Sequence, residues 1–405
     1  MKPLPHPAIY AILYFPFGAL GGFITVAMTF LATRNGLTIT EGAAFGATQL
    51  LISWLKWTWA PAVDVTLTPK RWYRLSTGLS ALAVLGLAAF PVNAENLPLL
   101  LGIVALGSFV NSAVGMSVEA IMAFATPPDQ QGRAAGWFQV GNLGGNGIGG
   151  GLGLVLLQVL PSPWMAGAFM GLIFLACGFA LRTLPDPPPH RVPGGPVGAV
   201  RKVVGDVAVI FKTQGGLLAG ILCFLPVGTG AASGVLTQAA VAAEWGAGDV
   251  EVALMQGALA GVIMAGGCLV GGWLCDRIPP RTAYAGFGLL LAAAAAGMGL
   301  VPKSVSAFVA CSAVYNFGVG LAYAAFTATV LNAMGQGSAA TKYNLYASLS
   351  NFPIWWLGML LAVVADAYGA SAMLYAEAVL GVVGVGLFLI ATKVVKRTQL
   401  PIAAP

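Results

Sequence analysis

Charge is what this sequence has least of. Its 405 residues carry 19 Lys and Arg and 13 Asp and Glu, 8% in all, against a hydrophobic share of 58% and a mean hydropathy of +0.85. A soluble domain carries roughly 25% charged residues, so this chain cannot cover a surface in water. Histidine is nearly absent: His6 and His190 both lie beside prolines in polar segments, which speaks against a His-based catalytic or metal site. The five cysteines (Cys177, Cys223, Cys268, Cys275 and Cys311) fall in or beside apolar runs without CxxC spacing, so neither a metal site nor a disulfide frame is expected. Period-two alternation is missing, which excludes a membrane barrel. No nucleophile–base pair, metal-ligand spacing or phosphate loop stands in a soluble context, so no catalytic residue, metal, cofactor or enzyme activity is expected. The net charge of +6 does not imply nucleic acid, because the basic residues sit in breaks between apolar runs.

What the chain has in quantity is apolar runs, Leu-, Ala- and Gly-rich, each near the ~20 residues that a membrane helix needs. The breaks give twelve expected spans, at about 8–33, 41–61, 75–92, 97–125, 133–160, 163–184, 216–243, 250–274, 282–301, 304–334, 342–366 and 370–392. The fold class expected is an all-α integral membrane protein in the lipid bilayer. The first span is longer than a signal-peptide core and lacks a small-residue cleavage site, so it is read as a retained helix. Lys and Arg gather at the termini and after the even-numbered spans, whereas the opposite breaks hold only Arg34 and Lys303. That asymmetry places both termini in the cytoplasm. The longest polar interval starts with the Pro- and Gly-rich stretch Pro185–Pro196 and continues as Val197–Lys212, basic and amphipathic. The second part suits either a helix on the inner leaflet or a solvated linker. It divides the chain into residues 1–184, a linker 185–215, and residues 216–405.

The two halves repeat a feature. After the second span come Asp64 and the basic cluster Lys70, Arg71 and Arg74; after the eighth come Gly271, Gly272, Asp276, Arg277 and Arg281. The two Asp lie 212 residues apart, about half the chain. Two related bundles, each with an Asp near a helix end, suggest a transporter. The Asp can pair with an Arg of its own loop or with a neighbouring helix terminus and so latch the cytoplasmic side. Gly271-Gly-Trp-Leu-Cys-Asp276-Arg277 resembles the G-x-x-x-D-R signature of the major facilitator superfamily. That resemblance implies twelve helices in two pseudo-symmetric six-helix bundles, with the first, fourth, seventh and tenth lining a central cavity.

Two further stretches resemble the AmpG-type muropeptide permeases and the related peptide–acetyl-coenzyme A transporters. Leu55-Lys-Trp-Thr-Trp-Ala-Pro-Ala-Val-Asp64 is similar to their L-K-x-x-W-[AS]-P-x-x-D, and Ala340-Thr-Lys-Tyr-Asn-Leu-Tyr-Ala-Ser-Leu-Ser350 to the segment entering their eleventh helix. Arg133-Ala-Ala-Gly136 is a weaker likeness. In the fourth span the family's Q-D-x-x-x-D reads Gly115-Met-Ser-Val-Glu119: the second acid is retained and the first is gone. The resemblance implies proton-driven import of a muropeptide-class solute across a bacterial inner membrane by a monomer. Siderophores and acetyl-CoA are alternatives within the family, and a multidrug/proton antiporter or a membrane scaffold lies outside it.

Ionisable groups at membrane depth cost about 2.5–3.5 kcal/mol on insertion scales and are functional candidates by default. Glu119 is the expected proton-coupling group, with Lys56 as its partner or as a snorkelling cation. Glu119 continues a small and polar stripe through Ser108, Ser112 and Gly115; Tyr14, Gly18, Gly21 and Thr25 form another, and Asn316, Gly320, Tyr323 and Thr327 a third. The expected substrate-cavity residues are Tyr14, Thr25, Ser112, Asn316, Tyr323 and Thr327 of these stripes, with Asn111 and Trp137. The expected cytoplasmic gate is Asp64, Arg71, Asp276, Arg277 and Arg281. Gly145-Asn-Gly-Ile-Gly-Gly150 satisfies G-x-G-x-x-G but lies inside an apolar span, so it is no dinucleotide loop. Gly141, Gly145, Gly149 and Gly153 share one helix face and predict tight helix packing.

Overall fold

The computed structural model describes residues 6–185, 195–335 and 337–398. Every expected span contains helix, and no strand occurs among the described residues. In chain order, α1 is Ala8–Gly22, continued by a π-helical turn Phe23–Met28 into Thr29–Arg34; α2 is Ile39–Leu55; α3 is Pro69–Ala89 and α4 is Leu97–Ala125. Helix α5 is Gln131–Gln139, with a π turn Val140–Gly144 before Gly145–Val159, and α6 is Pro163–Cys177. The linker helix is Gly195–Lys212; the Pro- and Gly-rich expectation before it, with His190 and Arg191, falls outside the described residues. Helix α7 begins with Gln214–Phe224, α8 is Asp249–Ala253 extended through a π turn to Leu259–Cys275, α9 is Pro280–Leu300 and α10 is Val305–Met334. The last 60 residues described, Ala339–Thr398, break at Gly369 (φ 83°) into α11 and α12. By length and composition, eight of these helices can cross a membrane, Ala339–Val395 being one of the eight.

Two expected boundaries are corrected. The second span does not end at Pro61: after a 3-10 turn, Lys56–Thr58, the chain resumes as Ala60–Val65. Proline is tolerated in the first turn of a helix, where its missing N–H would have no partner, so Asp64 stands on a helix end and not in a loop. The seventh span is not continuous: it unwinds after Phe224 and resumes as Ala232–Leu236. Pro226 and the left-handed Gly228 (φ 61°) and Gly230 (φ 64°) account for the break.

Helix α5 has a glycine face towards each of two neighbours. A Cβ on Gly149 would lie 2.3 Å from Ala19 Cα, and one on Gly141 2.6 Å from the Ala11 carbonyl. Gly145 and Gly153 meet Phe15 and Phe23 in the same register, so the predicted four-residue repeat seats α5 on α1. On its other side, Cβ atoms on Gly132 and Gly136 would each come within 2.5 Å of α8, at the Gly272 and Cys268 carbonyls. Backbones this close gain dispersion contacts that larger side chains would prevent. Helix α5 is thereby fixed to its own half and pressed against the other.

Candidate functional site

The end of the molecule that carries the basic residues is closed by two matching carboxylate caps. Asp64, near the end of the short helix Ala60–Val65, accepts hydrogen bonds from the Ala340 N–H (3.1 Å), the Thr341 N–H (2.8 Å) and the Thr341 hydroxyl (2.6 Å). Asp276, just past α8, accepts from the Gly132 N–H (2.8 Å), the Arg133 N–H (3.2 Å) and Arg133 Nε (2.6 Å). Each Asp thus caps the first turn of a helix from the opposite half of the chain: α11 in one case, α5 in the other. First-turn N–H groups lack intrahelical partners and carry the positive end of the helix dipole, so a carboxylate is the favoured cap. Of the two pairings expected for the Asp residues, the helix terminus is the one formed.

The expected arginines take no part in these caps. Arg277 stacks on the Trp273 ring (3.8 Å) and donates to the Trp273 carbonyl, and among the described residues neither Arg71 nor Arg281 forms an ion pair. The arginine that does meet Asp276 is Arg133, which the sequence marked only through its weak Arg133–Gly136 likeness. The linker helix joins the same end, because Asp206 accepts from the Ser338 hydroxyl (2.6 Å) just before α11.

One turn further into the membrane from the Asp64 cap lies Glu119, with no exposed surface. Its Oε2 accepts from Asn344 Nδ2 of α11 (2.6 Å), and Tyr14 of α1 donates to Oε1 at 3.5 Å. Lys56 is buried with its ammonium 5.7 Å from the Phe17 ring, and its charge interacts with Glu119 without a direct ion pair. A second cross-chain chain of bonds runs beside it: Gln139 Nε2 of α5 donates to Thr327 Oγ1 of α10 (2.7 Å), which bonds the Tyr343 hydroxyl (2.9 Å). The Phe138 ring fills the space between them, 3.8 Å from Tyr14 and 5.8 Å from Tyr343 between centroids. Asn344 Oδ1 is buried with no partner among the described residues.

Of the expected cavity residues, Tyr14 and Thr327 belong to this network. Asn111 instead clamps three helices, donating to the Phe17 carbonyl and accepting from Ser80, and Ser112 bonds within α4. Asn316 donates to the Met255 carbonyl at the π turn of α8. Thr25 is exposed and bonded to its own helix, and Trp137 meets His6 edge-on at 5.8 Å, away from the network. Tyr323 is half-buried among the apolar residues of the second half. Gln139, Tyr343 and Asn344 are not among the expected site residues, although Tyr343 and Asn344 lie in the Ala340–Ser350 stretch and Gln139, Asn142 and Asn146 form a polar i, i+3, i+7 stripe within an otherwise apolar α5. A second buried acid, Glu377 of α12, holds the resumed part of α7: it accepts from the Tyr315 hydroxyl (2.8 Å) and the Ala232 N–H (3.2 Å).

The two stretches that resemble the muropeptide permeases are one structure here. Asp64 binds Thr341, Ala340 packs with Trp59 and Trp72, and Ser348 reaches the Trp54 carbonyl at 3.5 Å.

Solved structures with the same architecture are transporters. The human organic anion transporter MFSD10 (TETRAN) is 16% identical with a TM-score of 0.71, over 94% of this chain and 98% of that one. A bacterial homologue of the iron transporter ferroportin in an outward-facing state is 15% identical with a TM-score of 0.65, over 96% and 98%. The proton:xylose symporter XylE, bound to 6-bromo-6-deoxy-D-glucose, is 12% identical with a TM-score of 0.65, over 95% and 94%. At these identities the likeness establishes the fold alone. No curated protein matches the chain in sequence. Residues 10–354 match the family profile described as Major Facilitator Superfamily. The chain is a multi-pass membrane protein and belongs to the Major Facilitator Superfamily.

Proposed function

We propose that this protein is a proton-coupled importer of a large polar solute, working as a monomer in a bacterial inner membrane with both termini in the cytoplasm. Its two halves, residues 1–184 and 216–405, rock about the central network, and the Asp64 and Asp276 caps hold the cytoplasmic side shut. The observation that carries this reading is the bond between Glu119 and Asn344, which joins the halves one turn inward of the Asp64 cap. A carboxyl at such a joint exchanges a buried hydrogen bond for water when the halves part. Opening is then linked to taking up or losing a proton. Lys56 is the cation suited to an anionic group on the solute.

The muropeptide class rests on the resemblance of the stretches Leu55–Asp64 and Ala340–Ser350 to the muropeptide permeases; acetyl-CoA and siderophores are its rivals. Uptake of radiolabelled anhydromuropeptide, acetyl-CoA and a siderophore into vesicles, each with and without a pH gradient, tests the reading. Gradient-dependent accumulation of anhydromuropeptide alone supports it. Transport of another of the three reassigns the substrate, and outward drug movement against the gradient replaces import by antiport.

A further inference from the structure

Away from the central network, α3, the end of α6 and the 3-10 helix Gly178–Thr183 that follows it line a cavity of about 280 Å³ on the outside of the bundle. Arg74 and Thr77 of α3 line one side, Phe179 and Arg182 the other, and Gly178 opens its floor towards Tyr73. We propose that this groove binds the phosphate headgroup of an anionic membrane lipid.

The chemistry is that of an anion site. Two guanidinium groups line one small cavity whose lining holds no carboxylate, and among the described residues neither forms an ion pair. Arg182 lies 4.8 Å over the Phe179 ring, which fixes its plane and leaves its donor edge available for a flat, bidentate acceptor. Arg74 stands in the second turn of α3, whose first turn has no acid to offset its charge. Thr77 lines the groove from α3, 2% exposed, with its hydroxyl turned into the protein beside Tyr73. The neighbouring Tyr73 hydroxyl has already spent its proton on the Leu13 carbonyl (2.9 Å). The groove therefore holds two guanidinium donors without a competing carboxylate, a set that suits a phosphate diester.

The surroundings favour a lipid as the source of that phosphate. Leu175 and Phe179 at the rim are 48% and 62% exposed, an apolar border for acyl chains. The groove is also at the basic end of the spans, at the depth where headgroups meet the hydrocarbon.

Native mass spectrometry of the purified full chain in mixed micelles tests this, with phosphatidylglycerol, phosphatidylcholine and inorganic phosphate as probes. The expected result is about tenfold or more preferential retention of phosphatidylglycerol over phosphatidylcholine. Both Arg74→Gln with Arg182→Gln, which removes the charge, and Gly178→Leu, which fills the cavity, should bring retention to the phosphatidylcholine level. Equal retention of the two lipids by the wild type, or undiminished phosphatidylglycerol retention in both variants, overturns the proposal. Displacement of the lipid by an equimolar amount of inorganic phosphate also overturns it, by making the groove a free-phosphate site.

Discussion

Asp64 and Thr341 lie 277 residues apart in sequence and share two hydrogen bonds, from the Thr341 N–H at 2.8 Å and its hydroxyl at 2.6 Å. Asp276 binds Gly132 and Arg133 in the equivalent way. On the rocking mechanism proposed above, these bonds exist only while the basic end is closed. Their free energy belongs to that state, at about 1.5–3 kcal/mol for a bond to a charged group. Asp64→Asn and Asp276→Asn should each move the population towards the open basic end by about tenfold. Ala340, fully buried at this contact, is the place for a reporter. In a cysteine-free background, Ala340→Cys should label faster in both Asn variants, and unchanged labelling contradicts the latch.

The two glycine seams of α5 should respond differently to one methyl group. At Gly149 the added Cβ meets Ala19 Cα at 2.3 Å, within one half; at Gly136 it meets the Cys268 carbonyl at 2.5 Å, across the halves. Overpacking costs typically 1–3 kcal/mol. Gly149→Ala should lower the melting temperature in every conformation, whereas Gly136→Ala should chiefly shift the population towards the open basic end. Equal loss of melting temperature without a change in labelling contradicts the assignment of the α5–α8 seam to the closed state.

Glu244, in the turn after α7, accepts from the Ala370 N–H at the start of α12 (2.8 Å) and is ion-paired with Lys303. Partial burial works against the carboxylate, but the Lys303 and Ala370 bonds outweigh it and hold its pKa below the ordinary value. A depressed carboxylate stabilises the fold fully above its ordinary pKa, about 4.3, and loses that contribution as pH falls through the lower folded value. Glu244→Gln should therefore lower the melting temperature at pH 7, and the gap from wild type should close as pH drops below about 4. A gap independent of pH contradicts the ion pair as its cause.

The sequence made the helices legible because the lipid phase demands them: ~20 apolar residues and polar breaks leave little choice. It also showed Asp64, Asp276 and Glu119, since charge is rare in this chain and each charge at depth stands out. Partners were harder to read. Asn344 and Gln139 are small, neutral and common in polar faces, and only the register of α11 against α4, and of α5 against α10, brings them to Glu119 and Thr327. Asn111 and Trp137 have the same look in sequence as cavity residues, yet their hydrogen bonds or ring contacts are spent on neighbouring helices or the N-terminal segment; Asn316 spends its N–H on the Met255 carbonyl, while its Oδ1 has no partner among the described residues. The break in α7 was written in Pro226, Gly228 and Gly230, but apolar content around them concealed it.

Glu377 separates a structural acid from a coupling acid. It holds Tyr315 of α10 and the Ala232 N–H where α7 resumes. Glu377→Ala leaves both donors buried without a partner, at about 1–3 kcal/mol each, and should lower the melting temperature by several degrees. Glu377→Gln keeps an acceptor for both and should preserve gradient-driven uptake. Loss of that uptake in a folded Gln variant moves the coupling role to Glu377.

Glu119, bonded to Asn344 across the halves at 2.6 Å, is the group proposed to link proton movement to opening. Glu119→Gln keeps the shape and removes the titration. The measurement is concentrative uptake into vesicles under an imposed pH gradient, set beside counterflow exchange of the same solute without one. Glu119→Gln should abolish the first and spare the second. Accumulation at the wild-type rate in the Gln variant contradicts it.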